Sequence, residues 1–412
     1  NRGVESGRPF WCGGALGEIM DNTQAESEAS RPLARDVGHG LRFPHTLGKS
    51  HGFLPTRKRI DMAQPQGALL VGSVNYNDAE TTFRTSAELL GGQLKRFPDG
   101  EVGDRYHWII FQADILGQTE GLERVGDEPI MVRHLDARGL RIADGVDVDS
   151  LVLPPLGYAA AAKESYALFT KLRAEGVIPA GKRFQVSLPT PVAVVSVYFQ
   201  GEDRARIEPK YRDALYAELA EILEAIPHED LAIQWDVAVE FAIIEAATYE
   251  SEFGSQFAAW WSDVWAGILE RAVEQAAQVP ADVELGFHFC YGDANEQHFI
   301  EPTDTKNLVK FGNALFAAAP RPITWLHLPV PIERDDDAYY APLAALEVPA
   351  GTELYLGLVH REDGAAGAQR RIYAASKFVE NYGVGTECGI GRAPEGTTEG
   401  ILRTHAEVAR SW

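Results

Sequence analysis

Eight short runs of apolar, strand-forming residues recur along the chain, with helical patterns between most of them. They are ALLVGSV (68–74), QLKRF (93–97), RFQVSLP (183–189), LAIQWDV (231–237), ELGFHFC (284–290), PITWLHLP (322–329), ELYLGLV (353–359) and GVGTECG (383–389). A strand that is apolar at nearly every position is covered on both faces, which is the condition of a parallel sheet wrapped in helices. Helical periodicity marks 78–91, 157–175, 208–226, 255–278, 303–318, 366–381 and 397–410. Strands alternating with helices eight times over predict a single (β/α)8 TIM barrel of the α/β class. A doubly wound open sheet is the alternative. It needs a glycine-rich phosphate loop after its first strand, and VGSVNYNDAE supplies one glycine.

Two stretches fall outside this rhythm. Residues 1–61 are rich in Gly, Arg, Ser and Pro and lack sustained periodicity, so they are expected to form an N-terminal extension with little regular structure. Glu5, Glu18, Asp21, Glu26 and Glu28 argue against a mitochondrial transit peptide there. The barrel is expected over 62–412, with Met62 as an alternative start. The longest gap, 98–182, contains 130–153, which reads as a hairpin inserted after the second strand.

The net charge of −22 comes from 38 basic and 60 acidic residues and disfavours nucleic acid or an anionic membrane as partner. No apolar run reaches the roughly 18–20 residues of a membrane span. Three cysteines cannot build a disulfide framework, so a reducing compartment, the cytoplasm, is expected. The sequence leaves a homo-oligomer open.

Functional side chains of such barrels sit at the C-terminal ends of the strands. Those ends carry Ser73, Asp99 and Glu101, Asp236, His288 and Cys290, His327, His360 with Glu362, and Cys388. His288 and Cys290 are two residues apart on a strand and so face the same way. Alone, the pair reads as core packing, because cysteine is among the most buried residue types. Cys388 on the last strand changes the balance. One imidazole and two thiolates suit Zn²⁺, and three protein ligands with an open fourth position is the catalytic pattern. His327 reads either as a satisfied structural histidine or as a further ligand. The loop RFPDGEVGDR (96–105) reads as a turn with internal ion pairs or as a substrate clamp through Asp99 and Glu101. Trp260, Trp261 and Trp265 have the spacing of core or subunit-contact residues. RDDDAYY (334–340) reads as a solvated helix start, and Cys12 is given no role.

HFCY (288–291) followed far downstream by ECGIGR (387–392) resembles the cobalamin-independent methionine synthase family, whose H-x-C and C-G motifs bind zinc. LLVGSV (69–74) is similar to the first strand of its catalytic barrel, which puts Val71, Gly72 and Ser73 on its substrate-contacting I-G-S. SLPTPVAVVSVYF (187–199) is similar to its G-P-V-T segment. IQWD (233–236) puts Asp236 on a substrate-contacting aspartate. LVHRED (358–363) puts His360 on a proposed proton donor. The resemblance runs from about Leu69 to Arg392. It implies a zinc-dependent transferase moving a methyl or small alkyl group to or from a zinc-activated thiol, with His360 as acid and Asp236 binding substrate or orienting the acid. A nearby carboxylate is expected to raise the pKa of His360.

The departures are specific. Val237 and Ala238 follow Asp236 where the family has glutamate and proline. Leu326 and His327 stand where it has a zinc-binding glutamate. Residues 1–61 cannot replace the second, folate-binding barrel of the family's enzyme. The same superfamily holds thiol alkyltransferases acting on epoxides and metal-free porphyrinogen decarboxylases, and the zinc motif argues against the latter. Two rival functions stay open: a zinc-dependent addition, elimination or demethylation on another small substrate, and a non-catalytic ligand-binding barrel.

Overall fold

The structure, a computed structural model, describes residues 64–249, 257–292 and 298–412. The extension 1–61, with Cys12, and Met62 lie outside the described residues. Seven parallel strands form one sheet in sequence order: β1 (Arg96–Pro98), β2 (Arg183–Pro189), β3 (Leu231–Val237), β4 (Glu284–Phe289), β5 (Trp325–Pro329), β6 (Glu353–Val359) and β7 (Tyr382–Thr386). The stretch 66–74 lies between the two edges. Ala68 donates its N–H to Gln93 (3.0 Å) and Val74 to Gly100 (2.9 Å) on one side. Leu69 donates to Val384 (2.9 Å) and Ile390 donates to Ser73 (2.9 Å) on the other. The sheet thereby curls round on itself in the manner of a TIM barrel, with 66–74 as its eighth stave.

The strands behave as their composition requires. All seven residues of β3 are buried, because helices cover one face and the barrel interior the other. The helix Ala79–Leu90 starts where the Asp78 carboxylate accepts the Thr81 N–H at 2.7 Å. It lays Phe83 edge-on against Phe169 of the helix Tyr158–Ala174 and Phe184 of β2, with ring centroids 5.8 and 6.2 Å away. Each such ring withdrawn from water contributes about 1.5–3 kcal/mol.

The interior is filled in layers. At the N-terminal end, buried Arg96 pairs with Glu284 (2.5 Å) and Glu353 (2.8 Å) and lies 4.1 Å from the Trp325 ring. Gly286 makes room for that indole, since a Cβ there would collide with it. Above it, the Trp325 indole N–H donates to Gln234 Oε1 (3.3 Å), and Gln234 Nε2 donates to the Val71 carbonyl (2.5 Å) and to Asp236 Oδ1 (2.9 Å). The layers thus orient Asp236 at the C-terminal rim.

Between β1 and β2 lie two nested antiparallel pairs, Leu122–Arg124 with Leu140–Ile142 and Met131–Val132 with Leu135–Asp136. The helices Ile110–Leu116, Pro191–Tyr198 and Val239–Tyr249 have no counterpart in the sequence pattern. The last two are apolar almost all round, which hides a 3.6-residue period. Trp260 and Trp261 stack edge to face, and the Trp260 N–H donates to Glu208 (2.6 Å). Trp265 lies under Lys310, so these rings serve packing between helices. No helix among the described residues is long and apolar enough to cross a membrane.

Candidate metal centre at the barrel mouth

Register sets the rim. Asp236 of β3 stands opposite His288 of β4, and His288 opposite His327 of β5. Cys290 follows β4, its N–H donating to the Val237 carbonyl at 3.0 Å. Cys388 follows β7, where Thr386 Oγ1 donates to its carbonyl (2.7 Å) and ties back the loop. Ligand atoms of His288, Cys290 and Cys388 all fall within 4.8 Å of one another. The two sulfurs are 3.5 Å apart and form no disulfide. Gly292 N–H donates to Cys290 Sγ (3.3 Å) and Arg392 Nη2 to Cys388 Sγ (3.7 Å).

This trio fits zinc. Two thiolates on one tetrahedral zinc stand about 3.8 Å apart for bonds of about 2.3 Å, close to the spacing seen. His288 Nε2 is buried and has no hydrogen-bond partner among the described residues, a cost that metal ligation removes. Burial holds the imidazole pKa well below its usual value, so the ring is neutral, as a ligand must be.

His327 is not in the trio. Its Nδ1 lies 2.7 Å from His288 Nδ1, so its ring stands behind the ligand. Burial lowers its pKa to about 3, with the Thr386 backbone pulling slightly the other way. Gly385 on β7 admits this ring, because a Cβ there would stand 2.9 Å from His327 Nε2.

The acidic loop divides by function. Asp99 is buried and consumed. Arg105 Nη2 (2.6 Å), Ser165 Oγ (2.6 Å) and the Glu101 N–H (2.9 Å) all donate to it. Burial opposes its charge, but these partners hold its pKa below the usual carboxylate value. Glu101 is different. Burial and the neighbouring Asp99 push its pKa to about 7 against the pull of Arg105 and Arg392. Asp236 is pushed well up by burial, by Glu101 and by Cys388, despite Gln234 and Trp108. Glu101 (φ 50°) and Trp108 (φ 56°) bracket this loop in the left-handed region, which costs a non-glycine residue about 1–2 kcal/mol. Such strain persists where the surrounding structure imposes a position.

Ser73 Oγ accepts the Gly391 N–H (3.2 Å), joining the first stave to the loop that carries Cys388. His360 departs from expectation. Its Nε2 donates to the Val330 carbonyl (2.8 Å), and burial lowers its pKa, with Glu387 opposing. The expected upward shift is therefore corrected: burial outweighs the carboxylate, and the ring is neutral. The sequence reading missed His298. It donates to Glu387 (2.9 Å) and Glu301 (3.0 Å), and although burial works against it these two raise its pKa to about 10. A charged imidazole thus pairs with Glu387, the residue before Cys388. Its only signal was a histidine flanked by acids in EQHFIE.

No protein-family model and no curated protein matches the sequence. Solved structures do match. A B12-independent methionine synthase from Shewanella sp. W3-18-1, in complex with selenomethionine, aligns at TM-score 0.50 and 17% identity over 84% of this chain and 98% of that one. A Listeria monocytogenes protein assigned as a vitamin-B12-independent methionine synthase aligns at 0.48 and 15% over 84% and 97%. A methyltransferase from Methanosarcina mazei aligns at 0.45 and 13% over 84% and 94%. At its Shewanella match, and across nearly the whole of that protein, this chain has the fold of a B12-independent methionine synthase.

Proposed function

We propose that this barrel moves a methyl or other small alkyl group to or from a thiol, with His288, Cys290 and Cys388 holding a zinc ion. The observation that carries this is the convergence of those three side chains at the barrel mouth, with His288 Nε2 buried and unpartnered. Bound zinc supplies Lewis acidity and keeps a thiol, otherwise of pKa about 8.5, as the nucleophilic thiolate near neutral pH.

The chain's own residues support the rest. The Gly292 N–H and Arg392 guanidinium donate to the cysteine sulfurs and disperse their charge. In the transfer, the thiolate sulfur bonds to the alkyl carbon, the bond from that carbon to the donor's leaving atom breaks, and the leaving atom takes a proton. His360 is badly suited to give it, because its Nε2 proton is committed to Val330 and its ring is neutral. Asp236 favours its protonated form and stands beside His288 in register, so it is the better donor. Glu101 shares that burial and would bind a polar group of the substrate or return the proton.

Elemental analysis of the purified chain tests this. About one zinc per chain is expected, falling to a small fraction in Cys388→Ser with the fold retained. Mass spectrometry on mixtures of small thiols and methyl donors should detect S-methylation by the wild-type protein. Full zinc occupancy in Cys388→Ser would sink the reading.

A further inference from the structure

We infer that His327 is a positioning residue which sets the tautomer of His288, and that it does not bind the metal. The inference rests on the zinc reading above. It starts from one contact, His288 Nδ1 to His327 Nδ1 at 2.7 Å, between two rings that are almost wholly enclosed. Two ring nitrogens approach that closely only with one proton between them. Two N–H groups would repel, and so would two bare lone pairs.

The direction of that hydrogen bond follows from the other nitrogens. With Nδ1 held against His327, the nitrogen His288 has left to offer a metal is Nε2, buried and unpartnered, and a ring nitrogen of His288 lies within 4.8 Å of both sulfurs. A neutral imidazole with bare Nε2 carries its proton on Nδ1. His288 Nδ1–H therefore donates to His327 Nδ1, and His327 carries its own proton on Nε2. That nitrogen faces β7 beside Gly385, whose missing side chain admits the ring, and it is buried with no hydrogen-bond partner among the described residues. Each ring is thus assigned one proton at one nitrogen by the contact between β5 and β4.

Metal-binding histidines almost always donate their second ring N–H to a partner, commonly a carboxylate or carbonyl, and losing that partner costs 10–100-fold in metal affinity. Here the partner is a neutral imidazole. It fixes the ring without adding negative charge and leaves a three-ligand site with one open position. His327 stands outside the ligand cluster. It lies on the neighbouring strand at the same level as His288, with its Nδ1 against that ring and its Nε2 beside Gly385 of β7.

Zinc affinity should be measured on the full chain by competition with a chromophoric chelator, for wild type, His327→Gln and His327→Phe. The Gln side chain can still accept from His288 Nδ1–H, whereas Phe cannot. His327→Phe should bind zinc about 10–100-fold more weakly, and His327→Gln should recover most of that loss. The visible spectrum of the cobalt(II)-loaded protein should be the same in wild type and His327→Gln. Ring ¹⁵N shifts of the zinc-loaded, histidine-labelled wild type give a reading without substitution, with His288 protonated at Nδ1 and His327 at Nε2. Equal losses in both variants with a changed cobalt spectrum would make His327 a ligand and overturn the inference, as would unchanged affinity in His327→Phe. A wild-type protein that binds no zinc overturns it together with the zinc reading. Zinc lost in Cys388→Ser but indifferent to His327 overturns the inference alone.

Discussion

Asp236 and Glu101 are two enclosed carboxyl groups at the C-terminal rim of the barrel, both with raised pKa: Glu101 by burial and Asp99, Asp236 by burial and Glu101. His360 lies on the same rim with its proton already donated to Val330. Loss of a positioned acid lowers turnover by about 10²–10⁴-fold. Asp236→Asn should therefore lower thiol methylation by about 10²-fold or more, with zinc content unchanged by elemental analysis. His360→Asn should lower it by less than about 10-fold. Were the two variants to exchange these outcomes, His360 would be the acid after all. The conflict between the two histidine readings is instructive. The segment LVHRED identifies a histidine after a strand, but its charge depends on burial and on the Val330 carbonyl, neither of which adjoins it in the sequence.

Among elements, the regular strands were the most legible. The runs 183–189, 231–237 and 353–359 coincide with β2, β3 and β6, because a doubly covered strand must be apolar throughout. The first run is a stave held by isolated bridges and not a regular strand, since Gly72 and Ser73 sit where it must fit two edges at once. The meeting of His288 and Cys290 with Cys388 was also legible, because alternation along a strand and rim placement depend on local rules. The His288–His327 contact was not, since it depends on the register between β4 and β5. Two predictions belong to this scale. Gly385→Ala pushes a methyl group against His327 and should destabilise the fold by about 1–3 kcal/mol, read as a lower thermal midpoint, and weaken zinc binding with it. Glu240, on the helix after β3, has its pKa raised from 4.5 to about 7, chiefly by burial. Between those pH values the native state holds a proton that the unfolded state has released, so stability falls as pH rises from 4.5 to 7. Glu240→Gln should remove that slope. Urea unfolding should show the variant more stable than wild type at pH 8, by up to about 3 kcal/mol, and nearly equal at pH 4.5.

For the whole molecule the decisive feature is how the circle is closed. Pro65 accepts the Arg410 N–H (3.0 Å), and Gly67 donates to the Arg410 carbonyl (2.9 Å), so the two ends of the described barrel meet at its N-terminal face. Every stave lies within 66–390. A chain starting at Met62 should therefore keep the far-ultraviolet circular dichroism, solubility and zinc content of the full chain. Insolubility or loss of zinc in that variant would mean that the extension packs on the barrel.

That closure also orders events during synthesis. The stave 66–74 emerges early, yet three of its five backbone bridges are to late residues, Val384, Ile390 and Arg410. At about 5–20 residues per second, the wait for them is on the order of tens of seconds. Throughout it, an apolar edge stands open to pairing with other chains. On the proposed zinc reading the same wait would govern the metal. His288 and Cys290 are made before Cys388, so zinc would be fully captured only when the ring of strands is complete. Zinc uptake would then be a timestamp on the nascent chain, recording the moment the barrel shuts.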